Sequence, residues 1–230
     1  GPGNNGGDAL EVAANLIEAG VDVVVLHLAG SGKVSPEAAQ ALGRARASGA
    51  NFADVALDVR DWALVVDGLF GIGLARPLEG RYRELVLGID KVSCPVLALD
   101  VPSGLGADSG AVVGPNGVAV RATHTITFIG GKPGLHTAEG CDHAGAVQVA
   151  DLGLELAQSE PAQASIASPA LFASHLAPRR RISHKGEYGD VAIVGGAHGM
   201  AGAAMLAARG ALYAGAGRVF AAMIGPALAL

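Results

Sequence analysis

The sequence has little cysteine, few aromatic residues and a low density of charge. Its 230 residues include two Cys, while aromatic residues make up 4% and charged residues 16%. Cys94 and Cys141 lie far apart and form no C-x-x-C pair, which argues against a disulfide scaffold or a structural zinc site and fits reduced thiols in the cytoplasm. Because aromatic side chains are scarce, the core has to be built mainly from Ala, Val, Leu and Ile.

Positive charge is scarce as well. The 16 Lys and Arg are outnumbered by 21 Asp and Glu, which gives a net charge of -5, and the only basic cluster is 179–181. Proteins that bind nucleic acid usually gather positive charge on one face, so we expect no nucleic-acid partner. The apolar segment 200–230 is interrupted by Arg209 and Arg218, so we predict a soluble, cytoplasmic chain with no membrane span.

Glycine and aliphatic residues are abundant, and they alternate in a pattern typical of an α/β fold. The sequence has 35 Gly and is 50% hydrophobic, enough for one or two domains with a substantial core. Ser35 and Asp8 are predicted to cap helices. The pattern predicts helices over 8–20, 36–48 and 79–91, and strands over 21–28, 62–66, 95–99, 123–129 and 146–150. We therefore predict a Rossmann-like, three-layer fold with a mostly parallel sheet.

The character of the chain changes after about residue 153. The stretch 154–167 is polar, contains proline and shows weak periodicity, which indicates a linker. Beyond it, strands over 190–194 and 218–223 flank a helix over 200–213. So short a second α/β unit cannot complete a sheet, and we predict that this second domain is incomplete.

Three polar segments are predicted to meet at the carboxyl edge of the sheet, where ligands bind in parallel α/β folds. They are the opening octapeptide GPGNNGGD, 67–77 and 100–104. Asn and Asp oxygens at such positions can coordinate a hard cation, and the Arg76 guanidinium suits a phosphate. The alternative for each segment is an ordinary turn, and for Arg76 a surface side chain.

Other nucleotide motifs fit less well. Gly1, Gly3 and Gly6 form a G-x-G-x-x-G pattern, but the predicted strand over 21–28 ends in His27 and Leu28, where a dinucleotide-binding fold has an acidic residue. The segment 30–33 lacks the spacing of a P-loop. Seven scattered histidines suggest no nucleophilic triad, and 132–134 is interpreted as a turn.

Five segments together resemble the NAD(P)H-hydrate epimerase family over residues 1 to about 153: GPGNNGGD, DGLFGIGLARPLEG, LDVPSG, ATHTITFIGGKPG and VADLG. From residue 184, HKGEYGDVAIVGGAHGMAGAAMLAARGALYAGAG is similar to the start of the ADP-dependent NAD(P)H-hydrate dehydratase, a ribokinase-like domain. The order of the two resembles bifunctional NAD(P)H-hydrate repair enzymes. The resemblance implies an epimerase domain over 1–153 whose N-terminal part is missing, a linker over 154–167, and an incomplete dehydratase domain over 168–230.

The resemblance also implies an activity and a site. The family interconverts the R and S forms of NADHX and NADPHX, an isomerase reaction, and in complete proteins a lyase activity that uses ADP or ATP with Mg²⁺ returns the S form to NAD(P)H. It places potassium on Asn5, Asp67 and Ser103. Asp100 is our candidate acid/base. The expected contacts with the hydrate are Asn4, Asn5, Gly6, Gly7, Asp8, Gly71, Ile72, Gly73, Leu74, Ala75, Arg76, Pro77 and Asp100.

Further expectations and alternatives follow from the resemblance. It implies a homo-oligomer, and the absent N-terminal segment would leave a sheet edge open. Without the later dehydratase motifs, the chain as given should lack dehydratase activity. The main alternative is a non-catalytic nucleotide-binding or scaffold module of the same fold. A kinase of the ribokinase class would depend on 184–223 alone.

Overall fold

The chain divides into two compact units, Gly1–Pro161 and Ala162–Leu230. A computed structural model describes residues 1–28, 34–54, 62–154, 162, 164–176 and 178–225. The segment 30–33 and most of the predicted linker therefore lie outside the described residues.

The first unit alternates helices and strands along the chain. Its elements are α1 (Asn4–Glu18), β1 (Val24–Val25), α2 (Pro36–Ala47), β2 (Asn51–Phe52), β3 (Val65–Asp67), α3 (Gly80–Ile89), β4 (Val96–Leu99), β5 (His124–Phe128), α4 (Gly140–His143) and β6 (Ala146–Ala150). A short 3₁₀ helix, Pro133–Leu135, follows β5.

The strands of this unit form parallel sheets. Four of them lie in the order β3-β4-β5-β6, and β1 pairs with β2. The register places Asp67 opposite Ala98 and Leu99 opposite Ile126, so β3, β4 and β5 end at the same edge. This arrangement confirms the predicted α/β class with parallel strands.

The strand bounds agree with the prediction to different degrees. β6 has the predicted bounds, whereas the predicted strand over 21–28 is reduced to the two residues of β1. Val21 and Val24 are largely exposed, and β1 pairs with β2 over only two positions. Apolar composition marks this segment as a strand, but among the described residues only a short part of it has a hydrogen-bonding partner.

Aliphatic side chains fill the core between the sheet and the helices. Val86 and Ile89 of α3 pack in one cluster with Val65 of β3 and Val96 and Ala98 of β4. A second cluster joins α1 and α2 through Leu10, Ala41 and Ala45. Burial of each large aliphatic side chain stabilises the fold by about 1.5–3 kcal/mol, so these clusters fix the helices against the sheet.

The start of α1 differs from the prediction. The prediction that Asp8 caps this helix is wrong, because the cap is Gly3 and the helix begins at Asn4. The first turn is buried at Asn5, Gly6 and Gly7, so tertiary packing outweighs the low helix propensity of Gly and Asn. In contrast, the Ser35 cap of α2 is confirmed by a 3.2 Å bond from the Ala38 amide to Ser35 Oγ.

The second unit contains a smaller α/β arrangement. Its elements are α5 (Pro169–Phe172), β7 (Asp190–Gly195), α6 (Ala201–Tyr213) and β8 (Arg218–Met223), with short 3₁₀ helices at Ala173–His175 and Lys185–Tyr188. β7 and β8 run parallel. Within the described ranges, no helix has both the length and the apolar character needed to cross a membrane.

Candidate functional site

The ends of three adjacent strands bring polar residues to one edge of the sheet. Asp67 is the last residue of β3, Asp100 follows β4 directly, and Lys132 lies four residues beyond β5. β4 is hydrogen-bonded to both β3 and β5. The site is therefore built from neighbouring strands.

Asp67 and Ser103 form a buried hydrogen-bonded pair. The Ser103 amide donates to Asp67 Oδ2 at 2.8 Å, and the Ser103 hydroxyl donates to Asp67 Oδ1 at 2.7 Å. The Leu69 amide donates to Oδ1 as well, and the Phe70 amide donates to Ser103 Oγ. Burial raises the pKa of Asp67, while the donors from Ser103 and Leu69 oppose that rise. A carboxylate has room for about four donors, so one acceptor position on Asp67 has no donor among the described residues.

Asn5 lies beside this pair with its side chain unsatisfied. Both polar atoms of the Asn5 carboxamide are buried and have no hydrogen-bond partner within the described part of the chain. Its backbone carbonyl approaches the residue after Asp67, since a Cβ on Gly68 would lie 2.9 Å from that oxygen. A buried polar group without a partner costs about 1–3 kcal/mol. The carboxamide is thus a group that a ligand or cation would satisfy.

Asp100 adopts a strained backbone conformation in the turn after β4. Its φ of 66° lies in the left-handed region, which costs a residue with a Cβ about 1–2 kcal/mol. The Asp100 amide donates to the Ile126 carbonyl at 2.7 Å, which anchors the turn to β5. Strain of this kind is often found at functional sites.

The Asp100 carboxylate contacts both neighbouring segments. Oδ2 accepts a 3.2 Å bond from the Ile72 amide, and Oδ1 lies 2.9 Å from Lys132 Nζ and 3.4 Å from Thr127 Oγ1. A Cβ on Gly71 would stand 2.7 Å from Asp100 Oδ2 and 3.5 Å from the Asn5 side chain. Gly71 therefore lies between the Asn5 carboxamide and the Asp100 carboxylate.

A second carboxyl group lies near Asp100. Partial burial, together with the negative charges of Asp100 and Glu11, raises the pKa of Asp8. Asn4, one turn earlier on α1, accepts a 2.8 Å bond from Ser35 Oγ at the start of α2. The exposed Asp8 side chain thus lies within electrostatic reach of Asp100.

The predicted loop 71–77 divides into two parts. Its first residues, Gly71 and Ile72, contact Asp100, but Leu74 packs on the core and Pro77 lies against Gly114. Arg76 is exposed, and in the described residues no hydrogen bond or ion pair joins it to Asp67, Asn5 or Asp100. The structure therefore brings together the first part of the loop, Asn5, Asp67, Asp100 and Ser103, and leaves Arg76 apart.

An apolar cavity lies beside this site. Its volume is about 480 Å³, and α1, β1 and β3 line it mainly with aliphatic side chains. Asp67 is one of the residues that line this cavity. Because the cavity offers few polar groups, the polar strand ends are the better candidate for chemistry.

The donors at the site suit a hard cation better than a transition metal. Among the described residues, no cluster of three or more His, Cys, Asp or Glu is placed to hold a metal ion. Asn5, Asp67 and Ser103 offer amide, carboxylate and hydroxyl oxygens, which are hard ligands. The unsatisfied Asn5 oxygen and the open position on Asp67 fit the predicted potassium ion.

Lys132 is a residue of the site that sequence reasoning missed. The sequence predicts a turn for the K-P-G tripeptide, and a 3₁₀ helix does begin at Pro133. The pairing of Lys132 with Asp100 joins residues at the ends of adjacent strands. The lysine's position after a strand that neighbours β4 was the available signal.

The chain is similar to known families and proteins. The model of the YjeF-related protein N-terminus matches residues 1–134. A protein of Bordetella pertussis named NAD(P)H-hydrate epimerase is 47% identical over 156 residues, which cover 67% of this chain and 68% of that protein. A protein of Leishmania major named bifunctional NAD(P)H-hydrate repair enzyme is 36% identical over 228 residues, 94% of this chain. These likenesses confirm the resemblance that the motifs predicted.

Two further facts define how far the similarity reaches. The chain spans about two fifths of the length of the bifunctional relatives, 40% for the Leishmania major protein. A crystal structure of a yeast protein has a TM-score of 0.50 and 22% identity, and the match covers 65% of this chain and 62% of that one. The yeast structure supports the α/β fold over that share of the chain.

Proposed function

The chain belongs to the family of the YjeF-related protein N-terminus, and from that premise we propose that it interconverts the R and S forms of NADHX and NADPHX. The observation that carries this proposal is the strained Asp100, whose carboxylate lies at the carboxyl edge of the sheet beside Gly71 and near Asn5. Relatives named for NAD(P)H-hydrate epimerisation and repair supply the substrate class.

The reaction inverts one carbon that bears a hydroxyl group. That carbon must become planar for a moment, through loss of the hydroxyl or opening of the ring, and both routes move a proton to and from oxygen or nitrogen. Asp100 is the proposed acid/base because its carboxylate is held at fixed orientation by Ile72 and Lys132. A positioned acid/base contributes about 10²–10⁴-fold to a rate.

The substrate is proposed to lie across the first turn of α1 and the start of the loop after β3. Asn5, Gly71 and Asp100 are adjacent there, and the exposed Asn4 and Asp8 are proposed as further contacts. The carboxamide of Asn5 has no partner in the described residues, so a ligand oxygen or a cation would satisfy it. Arg76 remains a predicted phosphate contact, and its side chain is exposed.

Potassium is proposed to be held by Asn5, Asp67 and Ser103. When bound, it would offset the negative charge of the buried Asp67 and of a bound pyrophosphate. Asp67 and Ser103 would hold the strand ends in register through their own hydrogen bonds. ADP or ATP with Mg²⁺ is proposed only for a protein with a complete dehydratase domain.

A conversion assay tests the proposal. One isolated NADPHX epimer is incubated with the purified chain in potassium or sodium buffer, and the other epimer is followed by chromatography against a blank without protein. We expect conversion above the blank, and a kcat for Asp100→Asn that is lower by about 10²–10⁴-fold. Asp108→Asn, the same change at an exposed residue, should keep the wild-type rate.

Ligand protection separates the alternatives. An epimerase should gain melting temperature from an NADP-type ligand with potassium, whereas a kinase or dehydratase fragment should gain it from ADP. A folded chain that binds the NADP-type ligand but gives no conversion above the blank would contradict the epimerase proposal and favour a binding module.

A further inference from the structure

Lys132 extends from the end of β5 to the Asp100 carboxylate. Its Nζ lies 2.9 Å from Asp100 Oδ1 and donates to the Phe128 carbonyl at 2.6 Å. The side chains of Lys132 and Asp100 are 16% and 13% exposed. This is therefore a largely buried ion pair, in contrast to the exposed pair of Arg218 and Asp190 in the second unit.

Both oxygens of the Asp100 carboxylate have partners in the protein, and Lys132 is the partner of Oδ1. Asp100 Oδ2 accepts from the Ile72 amide, and the Asp100 backbone is tied to Ile126. Lys132 thus completes a set of contacts from β5 and from the loop after β3. Together they determine both the direction of the carboxylate and the side that it leaves open.

Lys132 is already engaged by the protein through two of its three N–H groups. One bond goes to Phe128 and the other to Asp100. A lysine that served mainly to bind a phosphate would lie with its ammonium group facing solvent and the ligand. The geometry favours a role that is exerted through Asp100.

We propose that Lys132 is a positioning residue for the epimerisation, and that it fixes the Asp100 carboxylate in the orientation needed for proton transfer. This inference rests on the proposed function of the same site. Removal of one partner from a largely buried ion pair leaves the other charge uncompensated, so Asp100 would turn away from its present orientation. A displacement of about 1 Å at a reacting group can cost about 10²-fold in rate.

The test compares three variants of the chain in the epimer conversion assay. Lys132→Met removes the charge and keeps a side chain of similar length, whereas Lys132→Arg retains the charge. Lys91→Met is the control, because it makes the same Lys-to-Met change at an exposed lysine that follows α3. Circular dichroism and melting curves establish that each variant is folded. Lys132→Gln, which retains a donor for the Phe128 carbonyl, replaces Lys132→Met if that variant unfolds.

We expect Lys132→Met to lower kcat by about 10–100-fold, with KM within about threefold of the wild-type value. Lys132→Arg should have a kcat at least about tenfold higher than that of Lys132→Met, because its guanidinium can pair with the same carboxylate. Lys91→Met should match the wild type. A purely structural ion pair would lower stability in Lys132→Met without a selective loss of kcat.

Other outcomes would overturn the inference. A raised KM with an unchanged kcat would make Lys132 a direct ligand of the substrate, and unchanged kinetics or a failure of Lys132→Arg to exceed Lys132→Met would also contradict it. If the wild type itself gave no conversion, the proposed function would fail and the role of Lys132 with it. An active wild type beside an equally active Lys132→Met would refute only the role of Lys132.

Discussion

Gly71 lies against the Asp100 carboxylate, and this contact makes Gly71→Ala a sharp probe of the site. A Cβ at position 71 would stand 2.7 Å from Asp100 Oδ2 and 3.5 Å from the Cβ and Cγ of Asn5. The Asn5 contacts are ordinary van der Waals distances. The new methyl group would therefore act mainly on Asp100.

The size of the effect follows from this distance. To reach an ordinary contact of 3.4 Å, Oδ2 has to retreat by about 0.7 Å, and this movement weakens its 3.2 Å bond from the Ile72 amide. Loss of one such hydrogen bond costs about 1–2 kcal/mol of stability. Because a misplacement of about 1 Å can cost about 10²-fold in rate, we expect kcat/KM for epimerisation to fall by about 10–100-fold.

The measurement pairs kinetics with urea unfolding. Gly71→Ala is compared with Gly43→Ala, which places the same methyl group on the exposed face of α2 with nothing within 4 Å. The control should keep full activity and gain about 0.5–1 kcal/mol of stability, since alanine is the better helix former. Full activity in Gly71→Ala would refute the account of how Asp100 is held, as would an equal loss in Gly43→Ala.

Three further predictions concern the residues around Asp100. Ser103→Ala should destabilise the first unit by about 2–4 kcal/mol, because the change removes a buried donor to Asp67 and leaves the partly buried Phe70 amide without its acceptor. We expect potassium, but not sodium, to raise the melting temperature of the wild type, since a bound ion stabilises the folded state by an amount that grows with the ion's concentration. Asn5→Leu should abolish this rise, because it removes a proposed ligand of the ion. The pKa of Asp8 is raised by partial burial and by Asp100, so Asp8→Asn should become more stable relative to the wild type as the pH rises above 3.8.

Each of these predictions has a control and a contradicting result. Fluorescence of Trp62, the single Trp, which packs on the first unit's core, reports unfolding of that unit. Ser93→Ala, at an exposed serine of the same unit, should change stability by less than about 0.5 kcal/mol, and a Ser103→Ala effect of that size would contradict the prediction. For Asn5→Leu the contradicting result is an unchanged response to potassium.

The sign of the pH effect on Asp8 follows from linkage. A carboxyl whose pKa is raised on folding favours the folded state fully below its unfolded value and loses that contribution as the pH rises through the folded value. Asn at this position carries no charge, so the stability difference should grow above pH 3.8 and be constant well below it. A difference that does not vary with pH would show that neither partial burial nor the neighbouring carboxylates raise the pKa of Asp8.

Part of the fold could be predicted because local patterns coincide with tertiary packing. β6 and β8 have the predicted bounds, and the Ser35 cap is where the sequence indicated it. At α1 the pattern misled, because Gly and Asn in a first turn normally indicate a loop. Here burial of that turn decides the conformation.

The site could be predicted only in part for the same reason. Parallel strands bring their carboxyl ends together, which places Asp67, Asp100 and Ser103 at one edge. The partners of Asp100 depend on which strands are neighbours and on how a long side chain is directed. Lys132 is 32 positions away in sequence, and no local pattern marks it as a partner of Asp100.

The most direct test of the central claim starts from each pure epimer of NADPHX in separate reactions with the wild-type chain. An epimerase must bring both reactions to the same ratio of R to S forms, faster than the blank without protein, because a catalyst leaves the equilibrium unchanged. The account predicts this convergence. Consumption of one epimer alone, or rates equal to the blank from a folded chain, would contradict it.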